Sequence, residues 1–286
     1  MLKSFILGFS LLVSSAGTLA QALDLDVLRA DENSFYAGSV LVSGETEAVL
    51  IDAQFTRANA HRLVARILDS GKTLTAIYIS HGDPDYYFGL ETIQEAFPDV
   101  AIYASEPTLA HIRKTSEQKL AYWGPKLGAN APEALVMPEP LPGDTLTVDG
   151  KVLEVKGLDG PSPERSFVWI PSLKAVVGGV VLYNDVHLWL ADSATTEERQ
   201  EWLDIVDRIS ALEPEVVVAG HAMPAAATDI SAVNFTRDYL TTFNRELVDH
   251  QQSDTLIERM EELYPAAGLD IALELGAKVT LGEMSW

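Results

Sequence analysis

The chain of 286 residues contains no cysteine. That excludes disulfides, thiolate metal ligands, a cysteine nucleophile and a lipidated amino-terminal cysteine. Positive charge is also scarce: 20 Lys and Arg stand against 42 Asp and Glu, for a formal net charge of −22. Such an acidic surface repels phosphate backbones and anionic headgroups, so neither nucleic acid nor a membrane surface is an expected partner. There is no phosphate-binding P-loop, no G-x-G-x-x-G fingerprint and no G-x-S-x-G nucleophile elbow. No short-period repeat or low-complexity tract is visible, although a strand-rich, helix-containing half occurs twice, and after the first 22 residues no stretch is apolar enough to cross a membrane.

Those first residues, "MLKSFILGFSLLVSSAGTLAQA", have their own pattern. Lys3 supplies a positive start, Phe5 to Val13 an apolar stretch, and Ala20-Gln21-Ala22 an A-x-A cleavage signal. The apolar stretch is shorter than the roughly 20 residues that span a bilayer. The pattern predicts a secretory signal peptide over 1–22, cleaved after Ala22 or Ala20; a buried amino-terminal helix is the alternative. The mature chain, 23–286, is then periplasmic or secreted, with no membrane insertion after cleavage. Without disulfides it depends on its core, and 47% hydrophobic residues suffice for one.

Along the mature chain, strand and helix signals alternate, which argues an α/β fold. "SFYAGSVLVS" and "TEAVLIDA" form an expected β-hairpin across Gly44-Glu45. "RANAHRLVARILDSG" puts Leu63, Val64, Ile67 and Leu68 on one helical face and ends at Gly71. Strand 74–80 precedes a helix over about 86–97, then a strand at 100–104 and a helix over about 106–122. A proline-rich connector spans 128–143. Beyond it come a hairpin turning at Asp149-Gly150, strands at 166–171 and 174–183, and a helix over 196–212. The last predicted strand is 215–221, and from about Ser231 the chain reads as helical.

The stretch "IYISHGDPDYYFGL" places His81, Asp83 and Asp85 within five positions at the end of a predicted strand. Two readings apply: ligands of a metal, or a turn followed by a helix cap, since aspartate serves both. The other histidines sort by position. His61, His111 and His250 lie in polar or amphipathic segments and read as surface or structural. His221, like His81, directly follows an apolar strand, where α/β folds bind ligands. His187, flanked by Leu188 and Trp189, reads either as a packed core residue or as a pocket wall.

Taken in order, these segments resemble the metallo-β-lactamase-fold proteins over nearly the whole mature chain. "VLVSGETEAVLIDA" looks like the opening hairpin, with Asp52 as the structural aspartate. "YISHGDPDYYFGLE" resembles the T-H-x-H-x-D-H-x-G-G loop, and "VVVAGH" the strand before the last ligand histidine. The resemblance implies an αββα sandwich with a site between the two sheets at one edge. It also implies a metal centre, and here the sequence departs. Asp83 and Tyr86 stand at histidine positions, Leu158 at a third unless Asp159 serves, and Gly179 at that of the bridging aspartate.

Two cations without the bridging carboxylate would repel each other strongly, so at most one is expected. The resemblance therefore implies one divalent metal, zinc first with iron or manganese as alternatives, held by His81, Asp83, Asp85 and His221, with a site that holds no metal as the rival reading. Tyr86 and His187 are candidates for completing the shell or contacting substrate, and Trp123, Trp169 and Trp189 for the pocket wall or the core. The implied activity is metal-assisted hydrolysis of an ester, lactone or amide in a small molecule, with Asp85 orienting the water. The alternative is a catalytically degenerate member that binds a small molecule or a protein. Restoring the pattern by Asp83→His, Tyr86→His, Leu158→His and Gly179→Asp is expected to rebuild a two-metal site if the backbone has kept the geometry.

Overall fold

The computed structural model describes residues 22–285, so the predicted leader, except its last residue, lies outside the described residues. Six strands form the first sheet: β1 (Asp24–Arg29), β2 (Gly38–Ser43), β3 (Glu47–Ile51), β4 (Thr73–Ile79), β5 (Ala101–Ala104) and β6 (Glu139–Pro140), in that spatial order. Next along the chain come β7 (Thr145–Val148), β8 (Lys151–Lys156), β9 (Phe167–Ile170), β10 (Ala175–Val177), β11 (Tyr183–Asn184), β12 (Val216–Val217) and β13 (His221–Ala222). The second sheet runs β12-β10-β9-β8-β7, and β11 pairs with β13 in parallel.

Strand alternation explains the layering. Val49 and Ile51 of β3 and Ala76 and Tyr78 of β4 join Leu153 and Val155 of β8 and Val168 and Ile170 of β9 in one buried cluster between the sheets. Their sequence neighbours Leu50, Ile77, Ile79, Phe167 and Trp169 point the other way, into a larger cluster with the helices. Both faces of each central strand are therefore covered, and the result is an αββα sandwich.

The helices are α1 (Arg57–Ser70), α2 (Pro84–Tyr87), α3 (Leu90–Ala96), α4 (Glu106–Leu127), α5 (Thr196–Ala211), α6 (Ser231–Asp249), α7 (Ser253–Leu263) and α8 (Asp270–Thr280). Helix α1 begins where the Thr56 hydroxyl accepts from Asn59 N and ends at Gly71, whose φ of 65° suits glycine. In the β7–β8 hairpin, Asp149 and Gly150 both take positive φ, as a two-residue turn requires. Among the described residues no helix is long and apolar enough to cross a membrane.

Three sequence expectations are modified. The strand over 174–183 is two pieces in different sheets, β10 and β11, parted at Gly178 and Gly179, both at positive φ. The helix over 86–97 is two pieces, parted at Gly89, where a Cβ would lie 2.0 Å from Ala53 O. The strand over 215–221 is also two pieces. Val218 N bonds Val176 O in the second sheet, whereas Gly220 N bonds Leu182 O beside β11. The chain changes partners there because Gly220 can press on Gly179 O, which a Cβ would approach to 2.1 Å.

Candidate functional site

The site lies where β4 ends and β13 begins, and a buried scaffold sets it. Asp52 accepts from Ser80 N at 2.7 Å and from the Ser80 hydroxyl at 2.6 Å, and Gly179 N donates to that same hydroxyl at 2.7 Å. Burial pushes the Asp52 carboxyl up to about 7 despite both bonds. This network fixes Ser80 and therefore the direction in which His81 leaves the strand.

Asp83 occupies the position before α2, yet its side chain makes no capping bond. It faces a cluster of basic groups. His81 donates from Nδ1 to Glu164 O at 3.2 Å and meets Asp83 Oδ2 through Nε2 at 3.2 Å. The Lys119 ammonium bonds Asp83 Oδ1, and His111 Nε2 lies 3.6 Å from that oxygen. Burial alone would raise the Asp83 carboxyl; the His81 charge, the His111 bond and Lys119 instead hold it well below the usual carboxylate range.

On the other side, His221 donates from Nδ1 to Phe35 O at 2.8 Å, which leaves Nε2 as an acceptor. Tyr86 OH donates to that nitrogen at 3.1 Å, and Asp85 Oδ2 lies 3.6 Å from it. Burial keeps His221 neutral, with its ring lowered to about 4. Burial, together with the Asp83 charge, pushes the Asp85 carboxyl up to about 7. The buried Tyr86 ring stands edge-on to both imidazoles, 5.3 Å from the His81 ring and 5.8 Å from the His221 ring. A phenol is thus packed against both histidines.

Above these groups opens a cleft of about 850 Å³. Asp85, His221 and Tyr183 lie along its floor, Phe35, Trp123 and Trp189 form aromatic walls, and Met284 from the carboxyl-terminal segment borders it. A smaller cavity of about 440 Å³ adjoins it past His81 and Asp83, with Arg165 in its wall.

The model of the metallo-beta-lactamase superfamily matches residues 35–221. The chain belongs to that superfamily. A metallo-beta-lactamase family protein from Thermus thermophilus superposes with a TM-score of 0.64 at 18% identity, covering 92% of this chain and 93% of the other. A metallo-beta-lactamase from Pontibacter korlensis gives 0.54 at 19% identity, covering 78% and 96%. At such identities the likeness shows the fold alone. No curated protein matches the chain in sequence.

The superfamily commonly binds divalent metals such as zinc. The donors of this chain do not fit such a centre. Among the described residues no three His, Asp or Glu side chains converge on a possible ion. The Tyr86 ring packs against both imidazoles with its hydroxyl on His221 Nε2, and Lys119 already supplies a positive charge to Asp83. Leu158 packs against the core between the sheets. Asp159, the shifted alternative, is exposed and pairs with Arg208 at 3.3 Å.

The remaining candidates separate clearly. His187 is buried, bonds Tyr239 OH at 2.8 Å and does not line the cleft, which favours its core reading. Trp169 packs in the core, whereas Trp123 and Trp189 face the cleft. His111, surface or structural by its sequence context, instead lines both cavities beside Asp83. Lys119, Phe35 and Arg165 are site residues that the sequence does not single out. For His111 and Lys119 a signal exists: His111, Thr115 and Lys119 recur at four-residue steps along α4, so one polar face points at the loop after β4.

Proposed function

We propose that this chain is an exported small-molecule-binding member of the metallo-beta-lactamase superfamily, in which a network of side chains replaces the metal centre. The observation that carries this reading is the Tyr86 ring packed against both His81 and His221, with its hydroxyl on the nitrogen that would otherwise meet a metal. The donor set does not favour the metal-assisted hydrolysis implied by the resemblance. Small-molecule binding is supported by a cleft within the ordinary range for such ligands, which is on the order of 300–1,000 Å³. Export rests on the leader at 1–22. The mature chain, dialysed against chelator and then zinc, is expected to retain well under one equivalent by elemental analysis. Retention of a full equivalent, lost in His81→Ala or His221→Ala, would sink the proposal. Cell fractionation with amino-terminal sequencing checks export: the expected first residue follows Ala22 or Ala20.

A second reading has one observation in its favour. Asp85 faces the cleft, and among the described residues its only ion-pair partner within 4.0 Å is His221. A carboxylate so placed can take a proton from a water as its oxygen bonds to the carbonyl carbon of an ester, lactone or amide and the C=O π pair moves to oxygen. The acid so formed returns that proton to the leaving alcohol or amine as the C–O or C–N bond breaks. Chromogenic esters, lactones and nitrocefin test it, with Asp85→Asn expected to lower any turnover by roughly a hundredfold or more.

A further inference from the structure

We propose that the cleft takes a small organic cation, an amine or quaternary ammonium on an apolar body, held by the Asp85 carboxylate and an aromatic wall of Phe35, Trp123 and Trp189. The inference rests on the small-molecule reading above and names its ligand class.

The charges at the cleft are unequally matched. Asp83 is committed to Lys119, His81 and His111, so the Lys119 ammonium is neutralised by contact. Among the described residues no Lys or Arg lies within 4.0 Å of Asp85. Its side chain is 8% exposed, it faces the cleft, and among the described residues its only ion-pair partner within 4.0 Å is His221, whose Nε2 already accepts from Tyr86 OH. A carboxylate removed from water without a fixed counter-charge is unfavourable, and a ligand cation entering the cleft relieves it.

The walls suit the rest of such a ligand. The Phe35 ring lies 5.2 Å from Trp123 at 75° and 5.9 Å from Trp189 at 76°, so ring faces and edges alternate along the wall. An aromatic face attracts a cation through its quadrupole while its carbons receive an apolar body. The chain already uses this attraction: the Lys126 ammonium sits 3.7 Å from the Tyr122 centroid and 5.4 Å from that of Trp123. With Lys119 paired to Asp83, Arg165 is the feature among the described lining residues that points to the opposite charge. It is buried, stacks over Trp202 at 4.1 Å and leaves Nη1 without a partner, but it belongs to the smaller adjoining cavity.

The experiment titrates the mature chain at pH 8 with benzyltrimethylammonium, benzyl alcohol and benzoate, read by calorimetry and tryptophan fluorescence. The cation is expected to bind at least tenfold more tightly than the alcohol, with benzoate weakest. Asp85→Asn should remove most of that preference and leave benzyl alcohol unchanged. Trp123→Leu should cut the preference at least threefold, and it serves if Asp85→Asn fails to fold. Equal affinity for cation and alcohol would overturn the cation proposal while the small-molecule reading stands. Tightest binding by benzoate would overturn it in favour of Arg165. Silence from all three probes on a zinc-free chain would overturn the proposal and withdraw support from the small-molecule reading as well.

Discussion

At Gly179 the backbone itself opposes a metal-bridging carboxylate. Its φ is +80°, and a Cβ there would lie 2.2 Å from Ser166 O, a backbone atom with no freedom to move aside. Gly179 N is also committed to Ser80, which Asp52 holds. Gly179→Asp is therefore expected to cost about 3 kcal/mol or more, the combined penalty of positive φ and a backbone clash. The fourfold restoration suggested by the resemblance then loses its bridging member. Thermal unfolding of the single variant checks this: a folded protein melting within a few degrees of wild type would show that the loop yields. The sequence displays the glycine but not its φ, because glycine tolerates either sign and conceals the choice. Asp83 is ambiguous for a related reason. Cap and ligand are both open to aspartate, and only the placement of Lys119 and His111 on another element gives it a third role.

The elements legible in the sequence are those whose ends carry local chemistry. Thr56 and Gly71 bracket α1, Asp149-Gly150 marks one hairpin, and the apolar rows of β3 and β4 announce strands buried on both faces. Strand β1 gives no such signal because "DLDVLR" lies at the sheet edge, half-exposed and interrupted by aspartate. The splitting of 86–97 and 215–221 is hidden because close approach by another segment, not local propensity, breaks those elements at Gly89 and Gly220. Helix α5 is legible in its inward residues Trp202, Ile205, Val206 and Ile209, and its start shows why. Thr195 accepts from Glu198 N at 3.2 Å, while the Glu198 carboxylate accepts from Thr195 N at 2.9 Å. Thr195→Ala removes half of this reciprocal cap and is expected to lower stability by about 1 kcal/mol. Urea unfolding at constant slope measures it, and a loss below a few tenths would mean that packing of Trp202 alone holds the helix.

For the whole molecule, four buried groups set its response to pH, and they act in opposite senses. Asp52 and Asp85, their carboxyls raised to about 7 by burial, hold protons that the unfolded chain has already released, so they lower stability as pH rises from about 4 towards 7. His187 and His221, lowered to about 4 by burial, stay neutral where the unfolded chain takes up protons, so they lower stability as pH falls from about 6.5 towards 4. Between about pH 5 and 6 the two extra protons of the folded state balance the two of the unfolded state, and the stability curve should be nearly flat. Asp83 adds stability that is present above the unfolded value and is lost only as pH falls through its depressed one, so it belongs to acid unfolding below this window. The balance can be tilted one group at a time. His187→Gln leaves one uncompensated proton on the folded side, so stability should fall with rising pH by up to about 1.4 kcal/mol per unit. Asp52→Asn should reverse the sign, with stability rising by a similar amount per unit. Urea unfolding of the three proteins at pH 5, 5.5 and 6 reads the slopes directly. A wild type as steep as either variant, or two variants sloping the same way, would show that other groups carry the proton linkage.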